Sequence, residues 1–146
     1  MNRRDALKLT AAGVLAGTAA LAADPKDAKA PAAPAAAPAV NTALLDAIAH
    51  CQKTGAACLE LAIATLAKGD VSMAECANTT RAMLSLCEST GHLARMGNAH
   101  LKELAKVCAA VCRDCEKACK RHELHHTECK DCAQSCSACA AECDKV

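Results

Sequence analysis

Five cysteines close the chain in "ECKDCAQSCSACAAECDKV", at Cys129, Cys132, Cys136, Cys139 and Cys143. Their steps of three and four residues are the rhythm of one face of an α-helix. The same rhythm in thiols occurs at Cys108, Cys112, Cys115 and Cys119, and more sparsely at Cys51, Cys58, Cys76 and Cys87. At 100° per residue, the two dense sets each fall within roughly 80° of arc, a single seam per helix. A core of this kind is built from sulfur where leucine is usual. The chain has 13 cysteines and no Phe, Tyr or Trp, so the side chains that commonly dominate a core are missing.

The punctuation predicts four helices. The first runs from Thr42, with Asn41 as its cap, to about Lys68 and stops at Gly69. Ser72 and Glu75 form an expected capping box for the second, which ends near Gly97. Asn98 is expected to cap a third helix reaching about His122, and Thr127 a fourth reaching about Asp144. Long helices joined by short loops make antiparallel neighbours, so the expected fold is all-α, an up-down four-helix bundle over residues 41–146. Helix one presents Leu44, Ile48, Cys51, Gly55, Cys58, Ala62 and Leu66 along its seam. Helix two presents Met73, Cys76, Thr80, Met83 and Cys87. Leu59, Ile63, Leu84 and Leu86 lie off these seams and must pack elsewhere, in the bundle or against another subunit.

Ahead of the bundle, Arg3-Arg4 precede a mild apolar run from Leu9 to Leu21 and an Ala-Leu-Ala cleavage site. Residues 1–23 therefore read as a twin-arginine signal peptide, which places the mature protein in the periplasm. Residues 24–40 hold all four prolines among alanines and read as a disordered tether. Removing Arg3, Arg4, Lys8 and Asp5 from 17 basic and 16 acidic residues leaves a mature net charge of −1. Neither nucleic acid nor an anionic membrane is indicated as a partner.

Three chemistries compete for the thiols. A disulfide scaffold suits an exported protein, but helical neighbours have Cβ atoms roughly 5–6 Å apart and a disulfide needs about 3.8 Å. Zinc or an iron–sulfur cluster would match the pairs Cys112/Cys115, Cys129/Cys132 and Cys136/Cys139. Loop-borne sites of that kind turn the backbone around the metal, and here each pair lies within a helix with no glycine beyond Gly97. Cu(I) fits best: it favours thiolate and thioether and accepts few ligands. The pairs Cys108/Cys112, Cys115/Cys119, Cys132/Cys136 and Cys139/Cys143 can each straddle an ion. An enzymatic role for a CxxC thiol requires a helix N-terminus. Only Cys129 and Cys132 lie near one, without any strand pattern around them, so the chain is read as a non-enzyme.

With "VCRDCEKACK" and "ECKDCAQSCSACAAECDKV" in hand, the stretch Leu44–Val146 resembles the bacterial copper storage proteins. The resemblance implies a cysteine-lined four-helix bundle holding many Cu(I) ions, a homotetramer, and all 13 cysteines as ligands. It also implies that ions enter one open bundle end where Met and His assist. "HC" at His50-Cys51 and "DVSMAEC" around Met73 match that pattern, and they add Met73 and His50 to the expected ligands. Two departures stand out: Ala62 sits where helix one would continue its cysteines, and Cys108 adds one to helix three. Helical winding independently brings Met73, Cys76, Cys119, His122, His125, His126 and Cys129 to one end of the bundle. Met83, deeper on its seam, is read as core filler.

Overall fold

A computed structural model describes residues 40–146; the expected signal peptide and, apart from Val40, the tether lie outside them. The described residues form four helices: α1 (Thr42–Ala67), α2 (Ala74–Met96), α3 (Leu101–Lys120) and α4 (Thr127–Cys143). Each packs against two others. α1 lies beside α2 and α4, and α3 completes the square between α2 and α4. Sulfur contacts fix the antiparallel sense: late α1 meets early α2 at Cys58 and Cys76, and late α2 meets early α3 at Cys87 and Cys108.

The helix ends follow local chemistry. The Asn41 side chain accepts from the Leu44 amide at 3.1 Å, satisfying one orphan donor of α1. After α1 the chain turns at Gly69, whose φ of 87° suits a residue without a Cβ. The expected Ser72–Glu75 box does not form. Asp70 instead accepts from the Ser72 amide and caps a short 3₁₀ turn, Val71–Met73, that leads into α2. Glu75 is thereby left to pair with Arg121 at the end of α3. Gly97, at φ 58°, ends α2 as expected. Asn98 folds back on the His100 amide at 2.9 Å, so His100 occupies the cap position and α3 starts three residues later than Asn98. Thr127 is the first residue of α4 and not its cap; His126 precedes it with no side-chain capping bond.

All 13 cysteines are buried, Cys143 being the most exposed at 2%. The seam residues of α1 and α2 read from the sequence are all buried except Leu66, which is half-buried, and α2 buries Ala77, Thr90, Gly91 and Ala94 as well. Leu59, Leu84 and Leu86 pack half-buried against the core, whereas Ile63 is 45% exposed. The two bundle ends differ. Where α1 and α3 begin, Leu44, Ile48, Thr90, Ala94 and Ala105 close the core without thiols. At the opposite end Cys58, Cys76, Cys119 and Cys129 approach the chain turns directly, with Met73 buried beside them in sequence. No described helix is long and apolar enough to cross a membrane.

Candidate metal centre

The seams meet along the bundle axis as one sulfur column. At the end bearing Met73, Cys58 Sγ lies 3.5 Å from Cys76, 3.7 Å from Cys119 and 3.8 Å from Cys129, and Cys76 lies 3.4 Å from Cys119. The column continues through Cys115, 3.9 Å from Cys119 and 3.8 Å from Cys132, and then through Cys132 to Cys136 at 4.0 Å. Cys136 reaches Cys51 at 3.6 Å. Beyond it, Cys87 stands 3.8 Å from Cys108, 3.9 Å from Cys112 and 3.8 Å from Cys139. Cys143 joins Cys108 and Cys139 at the plugged end.

These spacings decide between bonding and bridging. A disulfide needs about 2.05 Å between sulfurs, and all 13 cysteines are free thiols. A metal–sulfur bond of about 2.3 Å puts two thiolates roughly 4.0 Å apart around a three-coordinate ion and roughly 4.6 Å apart across a two-coordinate one. The observed 3.4–4.0 Å separations run from a few tenths of an ångström short of that window up to its lower edge, so a modest parting of the thiols admits an ion between them. Five groups of three or four sulfurs, each within 4.8 Å of one another, form two overlapping runs: Cys58/Cys76/Cys129, Cys58/Cys119/Cys132 and Cys115/Cys132/Cys136, then Cys51/Cys87/Cys112/Cys139 and Cys108/Cys139/Cys143, with the Cys51–Cys136 contact joining the two. Cys58, Cys132 and Cys139 each belong to two groups, so one thiolate is placed to bridge successive ions.

Protonation follows from burial and sharing. Hydrogen bonding to Cys108 and Cys139, then burial, holds the Cys143 thiol above the ordinary range. Cys87, Cys119 and Cys136 are pushed up in the same way. Cys51 and Cys58, surrounded by S–H donors from neighbouring cysteines, are pulled the other way. Protons are thus shared unequally along the column. For the set as a whole the direction is upward, because each further thiolate in a dry, low-dielectric core repels the last. Metal binding must therefore displace protons.

Two residues sit differently from what their place in the sequence suggests. His50, expected among the ligands, lies one residue off the seam, about 100° of helix away from Cys51. It is exposed, and no histidine joins the sulfur groups among the described residues. Met83, which its seam position alone marks as core filler, accepts at Sδ from Cys51 Sγ at 3.3 Å and from Cys87 Sγ at 3.7 Å. The step of four from Met83 to Cys87 was the available signal. Thr80 likewise touches the column, 3.5 Å from Cys115 and 3.9 Å from Cys76. Met73 is buried at 1%. His122 and His126 are half-buried and close enough to Asp70 to help lower its pKa, behind the larger effect of the Ser72 hydrogen bonds. His125 is exposed.

The sequence matches the Csp family model, described as copper storage protein, over residues 40–146. Among solved structures, apo copper storage protein 3 from Bacillus subtilis aligns with a TM-score of 0.61 at 24% identity, covering 71% of this chain and 95% of that one. That likeness shows the shared fold. No curated protein matches the chain. The family match spans the whole sulfur column and the helices that carry it, and the chain belongs to the copper storage protein family.

Proposed function

We propose that this chain stores Cu(I), on the order of a dozen ions per chain, inside its bundle as thiolate-bridged ions, and that it is not an enzyme. The observation that carries the reading is the succession of thiol groups along one axis, two overlapping runs joined by the Cys51–Cys136 contact. A catalytic metal needs one site with an open position, whereas storage needs many sites that share ligands. Cu(I) suits thiolates in low coordination number, and a monovalent ion with two bridging thiolates keeps the buried charge small. Assembly as a homotetramer and twin-arginine export to the periplasm, folded, complete the proposal.

One feature favours a second reading. Cys51, Cys87, Cys112 and Cys139 place one sulfur from each helix around a common point, an arrangement that suits tetrahedral zinc. X-ray absorption at the copper edge of protein loaded anaerobically separates the two. Storage predicts Cu(I) with a sulfur shell and copper–copper scattering from shared thiolates. A shell rich in nitrogen or oxygen, or displacement of the bound copper by equimolar zinc, would overturn it.

Access is proposed at the end bearing Met73. A thioether cannot be protonated away and binds Cu(I) less tightly than a thiolate, so Met73 passes ions inward instead of retaining them. Met73→Ala is expected to leave capacity nearly unchanged and to slow uptake or removal. Cys115→Ala, deep in the column, is expected to lower capacity without slowing access. Chelator-exchange kinetics with metal counting at saturation checks both. Unchanged rates in Met73→Ala, with slowing in Cys115→Ala, would move the mouth to the other end.

A further inference from the structure

The column has a layer that thiols alone do not build. Between Cys76 and Cys87, α2 buries only Ala77, Thr80 and Met83, and at the level of Met83 α1 offers Gly55. A Cβ on Gly55 would come within 2.5 Å of the Met83 methyl, so the glycine leaves the seat that the thioether occupies. Met83 is completely buried. Its sulfur points at thiols on two helices, 3.3 Å from Cys51 and 3.7 Å from Cys87. Those two thiols belong to the only four-sulfur group among the described residues.

Charge gives this placement a chemical meaning. Four thiolates around one monovalent ion would leave a net charge of −3 in a dry core, where each unneutralised charge is strongly penalised. A thioether is a soft donor that carries no charge at any pH. From these residues we infer that Met83 is a resident Cu(I) ligand in the middle of the column. Its Sδ binds an ion shared with Cys51 and Cys87, which lets one of the surrounding thiols stay protonated or turn to the next ion. Coordination is through a sulfur lone pair, with no bond broken and no proton released by Met83 itself. This inference rests on the storage reading above.

Selenomethionine labelling tests it, because selenium then reports on each thioether directly. The full chain is labelled, loaded anaerobically with Cu(I), and read at the selenium edge, with copper counted on the same samples. The Met73→Leu variant removes the thioether at the proposed mouth, and Met73→Leu/Met83→Leu removes both buried ones; Met96, 66% exposed, and Met1 stay as background scatterers. Copper scattering around selenium is expected to persist in Met73→Leu and to vanish in the double variant. Its absence from a Met73→Leu sample that still carries many ions would overturn the role of Met83 alone. Undiminished scattering in the double variant would do the same. A wild-type protein that binds only one to three ions would defeat the storage reading and this inference with it.

Discussion

Filling the core with Cu(I) is expected to raise the unfolding temperature by at least about 20 °C over the metal-free form. Ions that bind the native state and not the unfolded one stabilise it by about 2.7 kcal/mol each at a hundredfold excess over Kd. Thiols of the unfolded chain also bind Cu(I), which removes much of that difference. The folded column keeps an advantage because its sulfurs are already within 4 Å of one another, whereas an unfolded chain must close a loop for each bridged ion. Even about 1 kcal/mol retained per ion, over a dozen ions, sums to roughly 10 kcal/mol. At about 4–8 °C per kcal/mol for a domain of this size, the shift is tens of degrees. Anaerobic calorimetry of apo and loaded protein, with a strong Cu(I) chelator restoring the apo transition, checks it. A shift below about 5 °C would mean that copper sits on the outside of the bundle.

The second large effect concerns the plugged end. With no aromatic residue in the chain, Leu44 and Ile48 are, among the described residues, the only fully buried side chains of leucine size besides Met73 and Met83. They stand in the first turns of α1, where the column has run out of thiols. Leu44→Ala is expected to cost the apo protein about 2–5 kcal/mol, since it removes buried methyls and leaves a cavity that the surrounding alanines cannot fill. Against a typical total of about 5–15 kcal/mol, that is a large share. Denaturant unfolding under reducing conditions measures it, and copper loading should recover most of the loss because the ions lie below the plug. A cost under about 1 kcal/mol would show that this end is loosely packed, and it would remove the reason to place access at the other.

Much of this architecture is legible in the chain because cysteine repeats every three or four residues, and that period belongs to a helix face whatever the side chain. Thirteen thiols on such faces had one interior to share. The bundle boundaries at Asn41, Gly69 and Gly97 were equally plain, since an amide cap and two left-handed glycines admit few alternatives. The misreadings have a common cause: competition between neighbours of similar chemistry. Asp70 outcompeted Ser72 for the turn before α2, and Asn98 spent its side chain on an amide two residues ahead instead of starting α3. His50 beside Cys51 reads as a ligand pair by resemblance, whereas adjacent residues on a helix face different ways and His50 is exposed. Met83 was hidden for the opposite reason. It lay on the correct seam, but a methionine there is usual core material, and only the approach of Cys51 from α1 and the bare Gly55 reveal what its sulfur faces.

The claim that the core itself is the binding site is tested most directly by counting. Freshly reduced protein is assayed for free thiols and then titrated anaerobically with Cu(I) against a strong competing chelator until copper remains with the competitor. If each thiolate bridges two ions and each ion takes two thiolates, saturation falls near one ion per cysteine, on the order of a dozen per chain. That result, with thirteen titratable thiols before loading and almost none accessible after it, is what the sulfur column predicts. Saturation at one to three equivalents, or five or six disulfides in the protein as isolated, would contradict it.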